Sequence, residues 1–194
     1  PTDWLQCVTR VTGNVKIHGD IAAEALAGLA DLQEVDGDLT VSSNALLTEL
    51  SPLACVRTVG GSFELRFVPG VTELSGLAEI DSVFRFNLRE TAVASLDTMP
   101  ALARVSYIDL HDNPELSDLS ALAGWKVDNQ SLTIRIVGNP KLADLSGFAG
   151  LLGQAGANIT VAVKLASAPG LTSLKGLEAM THGDLSIRDL PAIV

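Results

Sequence analysis

The sequence predicts an all-β solenoid: a right-handed parallel β-helix, leucine-rich-repeat-like, of about eight coils with 22–29 residues each. Three observations predict it. An apolar–polar–apolar core recurs along the chain, as in a half-buried strand. After each core, apolar residues fall at every third position. Between the two sits a turn rich in Asn and Pro. One such repeat cannot bury its own apolar edge, but stacked repeats share a continuous core.

The strand cores, in order, are Val15-Lys16-Ile17, Leu39-Thr40-Val41, Phe63-Glu64-Leu65, Phe86-Asn87-Leu88, Ile108-Asp109-Leu110, Ile134-Arg135-Ile136, Val163-Lys164-Leu165 and Leu185-Ser186-Ile187. The return paths carry the three-residue period, as in Leu50, Leu53, Val56 and Val59, or Leu74, Leu77, Ile80 and Val83. That period suits a 3₁₀-like or coiled path and leaves no room for a long helix. Asn44, Asn113 and Asn139 share one turn slot, where a buried Asn bonds turn backbone in its own and the adjoining coil. Asp20, Val68, Thr91, Ala168 and Leu190 fill that slot elsewhere, so the Asn ladder is expected to be broken.

The whole chain, 1–194, reads as one solenoid domain. Residues 1–14 read as a partial first coil and 185–194 as a truncated last one, which leads us to expect a piece of a larger protein. With 47% hydrophobic residues the chain can bury a sizeable core, built from aliphatics because aromatics are only 4%. The net charge of −10 argues against nucleic acid, whose phosphates call for a basic surface. No charged-then-apolar leader and no run of eighteen apolar residues occurs, so no direct membrane insertion is expected of this segment.

The strand-Asn-Pro-x-Leu-x-x-Leu-x-x-Leu unit, together with the lead-in from Val35 to Val41, resembles the receptor L domain. In that module a leucine-rich right-handed β-helix serves surface receptors and microbial surface proteins. Leu116 and Leu142 each follow their Asn by three residues, an offset that favours this family over ordinary leucine-rich repeats. The resemblance covers roughly residues 5–194. It implies a binding or scaffold module located outside the cell or at its surface, with no catalytic residues. The cysteine pattern that closes receptor L domains is not visible, so receptor-type ligand contacts are not carried over.

Cys7 and Cys55 fill the same slot two coils apart. At about 4.8 Å per coil their Cα atoms would be roughly 10 Å apart, beyond the reach of a disulfide. They are expected instead to be small core residues. Asn129 and Asn158 head Asn-x-Ser/Thr sequons in the two longest repeats and are candidate glycosylation sites. His18, His111 and His182 form no metal-ligand spacing, and no nucleophile elbow or phosphate loop is present. We therefore expect no enzyme, catalytic residue, metal or cofactor.

The repeat aligns the outward side chains into columns. Seven of the thirteen Lys and Arg lie there, against four of the twenty-three acids, so the face is locally basic on an acidic molecule. Such a face steers and docks anionic partners. The expected ligand-binding centre is Arg66, Arg85, Arg89, Tyr107, His111 and Arg135, contacting an acidic protein or an anionic glycan. A plainer expectation stands beside it: Glu64 and Asp109 bridge neighbouring Arg, and the charges merely keep the sheet soluble. The alternative function is a structural subunit of a larger surface or membrane-associated assembly.

Overall fold

The computed structural model describes residues 8–99, 102–127, 131–154 and 159–193. Ten strands pair in parallel into one sheet. A short leading row comprises β1 (Arg10–Val11), β3 (Glu34–Val35) and the first residues of β5 (Thr58–Val68) and β6 (Ser82–Thr91). The main row comprises β2 (Val15–His18), β4 (Leu39–Ser42), the remainder of β5 and β6, β7 (Tyr107–His111), β8 (Ser131–Val137), β9 (Thr160–Ala166) and β10 (Asp184–Arg188). The eight expected cores pair in the register that the repeat implies: Val15 faces Leu39, Leu39 faces Phe63, and so on to Val163 and Leu185. The molecule is thus mostly parallel sheet with little helix, compatible with a β-solenoid.

The three-residue period places Val35, Val59 and Val83 on the return path. The structure instead makes them strand residues, with Val35 beside Val59 and Val59 beside Val83. β-branched Val meets its own counterpart one coil away, and parallel pairing there satisfies the backbone. The rest of the return path contains 3₁₀ turns at Ala23–Leu29, Ser51–Leu53, Ser75–Leu77 and Ser120–Gly124. The longest repeat differs, with a single α-helical turn, Phe148–Leu152. Where the coils pack closest, a side chain would not fit. A Cβ on Gly147 would overlap the Leu119 carbonyl of the coil before it.

The inward rows form one apolar core. Phe63 stacks on Phe86 at 5.7 Å between ring centroids, and Phe86 meets the fully buried Trp125 edge-on at 5.1 Å. Each fully buried large apolar side chain contributes about 1.5–3 kcal/mol to folding.

Each main strand ends in a residue with left-handed backbone: Gly19, Ser43, Phe67, Glu90, Asp112, Gly138, Ser167 and Asp189. Only two are glycine, so the other six carry the steric cost of that conformation, with φ between 50° and 54°. The turn slot follows directly. Asn44, Asn113 and Asn139 are all buried there. Asn44 accepts from the amides of Ile21, Leu46 and Leu47 and donates to the Ile21 carbonyl. Asn113 accepts from Thr91 N–H and Oγ1 and donates to the Leu88 carbonyl. Asn139 accepts from the Asn113 amide and donates to the Leu110 carbonyl. The Asn side chains therefore join neighbouring repeats in the way expected, and Val68 and Ala168 interrupt the ladder.

One expectation fails. Cys55 is an exposed free thiol, not a core residue. It sits between the inward positions Leu53 and Val56, so the three-residue period turns it outward. Cys7, Asn129 and Asn158 lie outside the described residues.

Asn113→Ala leaves the buried Thr91 amide and hydroxyl without the acceptor they share, and the Leu88 carbonyl with one donor fewer. The expected loss is about 2–4 kcal/mol of unfolding free energy in urea titration, because each orphaned group costs about 1–3 kcal/mol.

Candidate functional site

The outward columns follow from strand register. One column on the main row runs Ser62, Arg85, Tyr107, Thr133, Ala162, Asp184. The middle column runs Lys16, Thr40, Glu64, Asn87, Asp109, Arg135, Lys164, Ser186. The third runs His18, Ser42, Arg66, Arg89, His111, Val137, Ala166, Arg188. All six nominated residues therefore stand on one face, on neighbouring strands from β5 to β8.

Their surroundings differ. Arg66 Nε lies 3.7 Å from Glu64, and Arg135 lies 3.4 Å from Asp109. Arg89 lies 3.7 Å from Glu90, and His111 Nδ1 is 3.0 Å from Asp112. Four of the six thus have an acidic neighbour within the chain, two of them through the Glu64 and Asp109 of the plainer expectation. Arg85 has no ion pair among the described residues. Its guanidinium lies 5.8 Å from the Phe84 ring and 5.4 Å from the Tyr107 ring, a position favoured by the negative faces of both. Arg89 lies similarly 6.0 Å from the Phe67 ring. Phe67 and Phe84 are each 39% exposed.

Asp38 belongs to the face by position but is used structurally. Its carboxylate accepts the Ser62 amide at 2.8 Å, as Asn14 accepts the Asp38 amide at 2.8 Å one coil earlier.

A concavity of about 430 Å³ opens on β7 to β10 rather than over the nominated centre. Its lining includes Tyr107, Thr133, Arg135, Val137, Lys164, Ala166 and Arg188. The cause is side-chain size. On β5 and β6 the outward Arg and Phe fill the surface. On β8 and β9 the short Thr133, Val137 and Ala166 leave a floor with longer cations rising around it. Lys164 and Arg188 are exposed and make no ion pair among the described residues. The sequence shows these two cations on the face; the signal for the concavity is the run of small outward residues beside them.

Asp109 sits at the edge of this region. Burial pushes its carboxyl above the ordinary carboxylate value, while Arg135, His111 and Arg89 pull the other way. One of its oxygens, Oδ1, has no hydrogen-bond partner among the described residues. Also among them, no three His, Cys, Asp or Glu side chains converge in a way that could hold a metal ion. No helix among them is long and apolar enough to cross a membrane.

Comparison with known protein families, with curated proteins and with solved structures finds no match. The chemistry of the face therefore rests on the residues themselves.

The raised Asp109 value carries a pH signature. The folded state holds this proton more tightly than the unfolded state, so stability falls as pH rises through the folded value. Asp109→Asn removes the cost of the desolvated charge, while Arg135 remains solvated. The variant is expected to melt higher than the parent at neutral pH. Scanning calorimetry should show the gain shrinking as pH drops toward the unfolded carboxylate value of about 3.9.

Proposed function

We propose that the chain is a right-handed solenoid of eight coils, similar to the receptor L domain, and acts as a non-enzymatic recognition module at or outside the cell surface. Its outward strand face docks an anionic partner, an acidic protein or an anionic glycan. One observation supports the reading: three cations, Arg135, Lys164 and Arg188, ring a concavity on a chain of net charge −10, and two of them make no ion pair among the described residues. A chain with excess acid gains no solubility from leaving these cations clustered. They are placed to attract an anion and to hold it by charge-assisted hydrogen bonds.

The test is charge reversal with generic polyanions. Poly-glutamate and dextran sulfate are offered to the parent protein, to an Arg66/Arg89/Arg135→Glu variant and to a Lys164/Arg188→Glu variant. At least one variant should lose about tenfold or more in affinity with an unchanged melting temperature, since each lost charged contact costs about 1.5–3 kcal/mol. Equal binding by all three proteins, or no binding by the parent, overturns the reading.

A structural-subunit reading is favoured by a different observation. β10 exposes Leu185 at 48% and Ile187 at 44%, although both continue inward core rows. Light scattering separates the two: a concentration-independent monomer supports recognition, and reversible association abolished by Leu185→Lys supports assembly.

A further inference from the structure

Resting on the recognition reading, we propose that the concavity on β7 to β10 is a subsite for a short anionic saccharide, a sugar segment carrying sulfate or carboxylate groups. Three features of the concavity support the class. The first is cation spacing. Arg135 and Lys164 are register partners on adjacent strands, and Arg188 lies one strand further and two residues along. With strands about 4.8 Å apart and a rise of about 3.3 Å per residue, the three Cα atoms span about 12 Å. A ligand with two or more anionic groups along a short stretch matches that span, and Arg135 and Arg188 offer bidentate forks to sulfate or carboxylate.

The second feature is the floor. A peptide held here would need either a deep apolar pocket for an anchor side chain or free backbone groups for its main chain. The concavity has no deep apolar pocket, and three of its four strands have no free backbone edge. Its floor is built of short side chains, Thr133, Val137 and Ala166, and β7, β8 and β9 are each paired on both edges. Thr133, Ser186 and Tyr107 instead bring hydroxyls, each able to donate and accept, which suits the hydroxyl array of a sugar.

The third feature is Tyr107. It lines the concavity on one side, while Arg85 lies 5.4 Å from its ring. The guanidinium over one face of the ring favours this orientation of the side chain. This leaves an oriented aromatic wall at one end of the cation row, against which the C–H face of a sugar ring packs.

The experiment is isothermal titration of the full chain, at physiological ionic strength, with a sulfated uronic-acid tetrasaccharide. Its desulfated counterpart and an extended glutamate peptide of equal charge are the comparison probes. The expected result is saturable binding of the sulfated sugar at one site per chain. Lys164→Ala/Arg188→Ala should weaken it about tenfold or more, and Tyr107→Ser should weaken both sugars severalfold, while the melting temperature stays within the parent's range. Arg66→Ala/Arg89→Ala, on the filled part of the face, should leave the affinity within about twofold. Sugar binding indifferent to Lys164 and Arg188 overturns the subsite. If the glutamate peptide binds more tightly than the sugar and depends on the same two residues, the saccharide class is wrong and the recognition reading survives. If no polyanion binds the folded parent, both fall.

Discussion

Each inward row of this molecule is buried only because the next coil repeats it one strand away. The parallel register, Val15 on Leu39 through Val163 on Leu185, is therefore the constraint on which the remaining features depend. It brings like residues together, so Phe63 can stack on Phe86 and Trp125 can close the same layer. It forces the chain to leave every main strand through a left-handed residue, even where that residue is Phe67 or Glu90. It also leaves the turn backbone facing the turn of the neighbouring coil. There a buried Asn can serve two coils at once, and a glycine such as Gly147 can lie against the carbonyl beneath it. A substitution in one coil is consequently felt by two.

The same register sorts charge. Acidic side chains crowd the turns and returns, where several cap local backbone: Asp118 accepts the Ser120 amide and Asp144 the Ser146 amide. Hydrogen bonds from Ser146 hold the Asp144 carboxyl below its ordinary value. Basic side chains are instead projected from the strands into rows. On β5 and β6 those rows are occupied by Glu64, Glu90 and the aromatic rings of Phe67 and Phe84. On β9 and β10, Lys164 and Arg188 stand beside short neighbours and make no ion pair among the described residues. Shape, more than charge, separates the two regions.

The strand cores were legible because apolar–polar–apolar triplets recur at spacings of 22 to 29 residues and must coincide once stacked. The turn Asn residues were legible for the same reason. The left-handed positions were not. Ser43, Phe67, Glu90, Asp112, Ser167 and Asp189 share no residue preference, so the conformation is imposed by the coil rather than chosen by the side chain. Cys55 was misplaced by a single residue within a three-residue period, which is the whole difference between core and solvent. The nominated Arg and Tyr were correctly set on one face, but their internal partners were only partly visible. Glu64 and Asp109 lie on the same strand face, whereas Glu90 and Asp112 reach it from the left-handed turn. The concavity depends on Thr133, Val137 and Ala166, residues with no chemistry to attract notice. It emerges only when the sizes of side chains 26 and 29 residues apart are set side by side.

Since each main strand pairs only with the strands of adjoining coils, the sequence separation of its long-range contacts is set by the repeat and not by the chain. The loop-closure entropy of each pairing step therefore grows only with the residues in a single repeat. Two neighbouring repeats can then pair before the rest of the chain is placed. Where Val68 and Ala168 interrupt the Asn ladder, neighbouring repeats are held by apolar contact and backbone pairing.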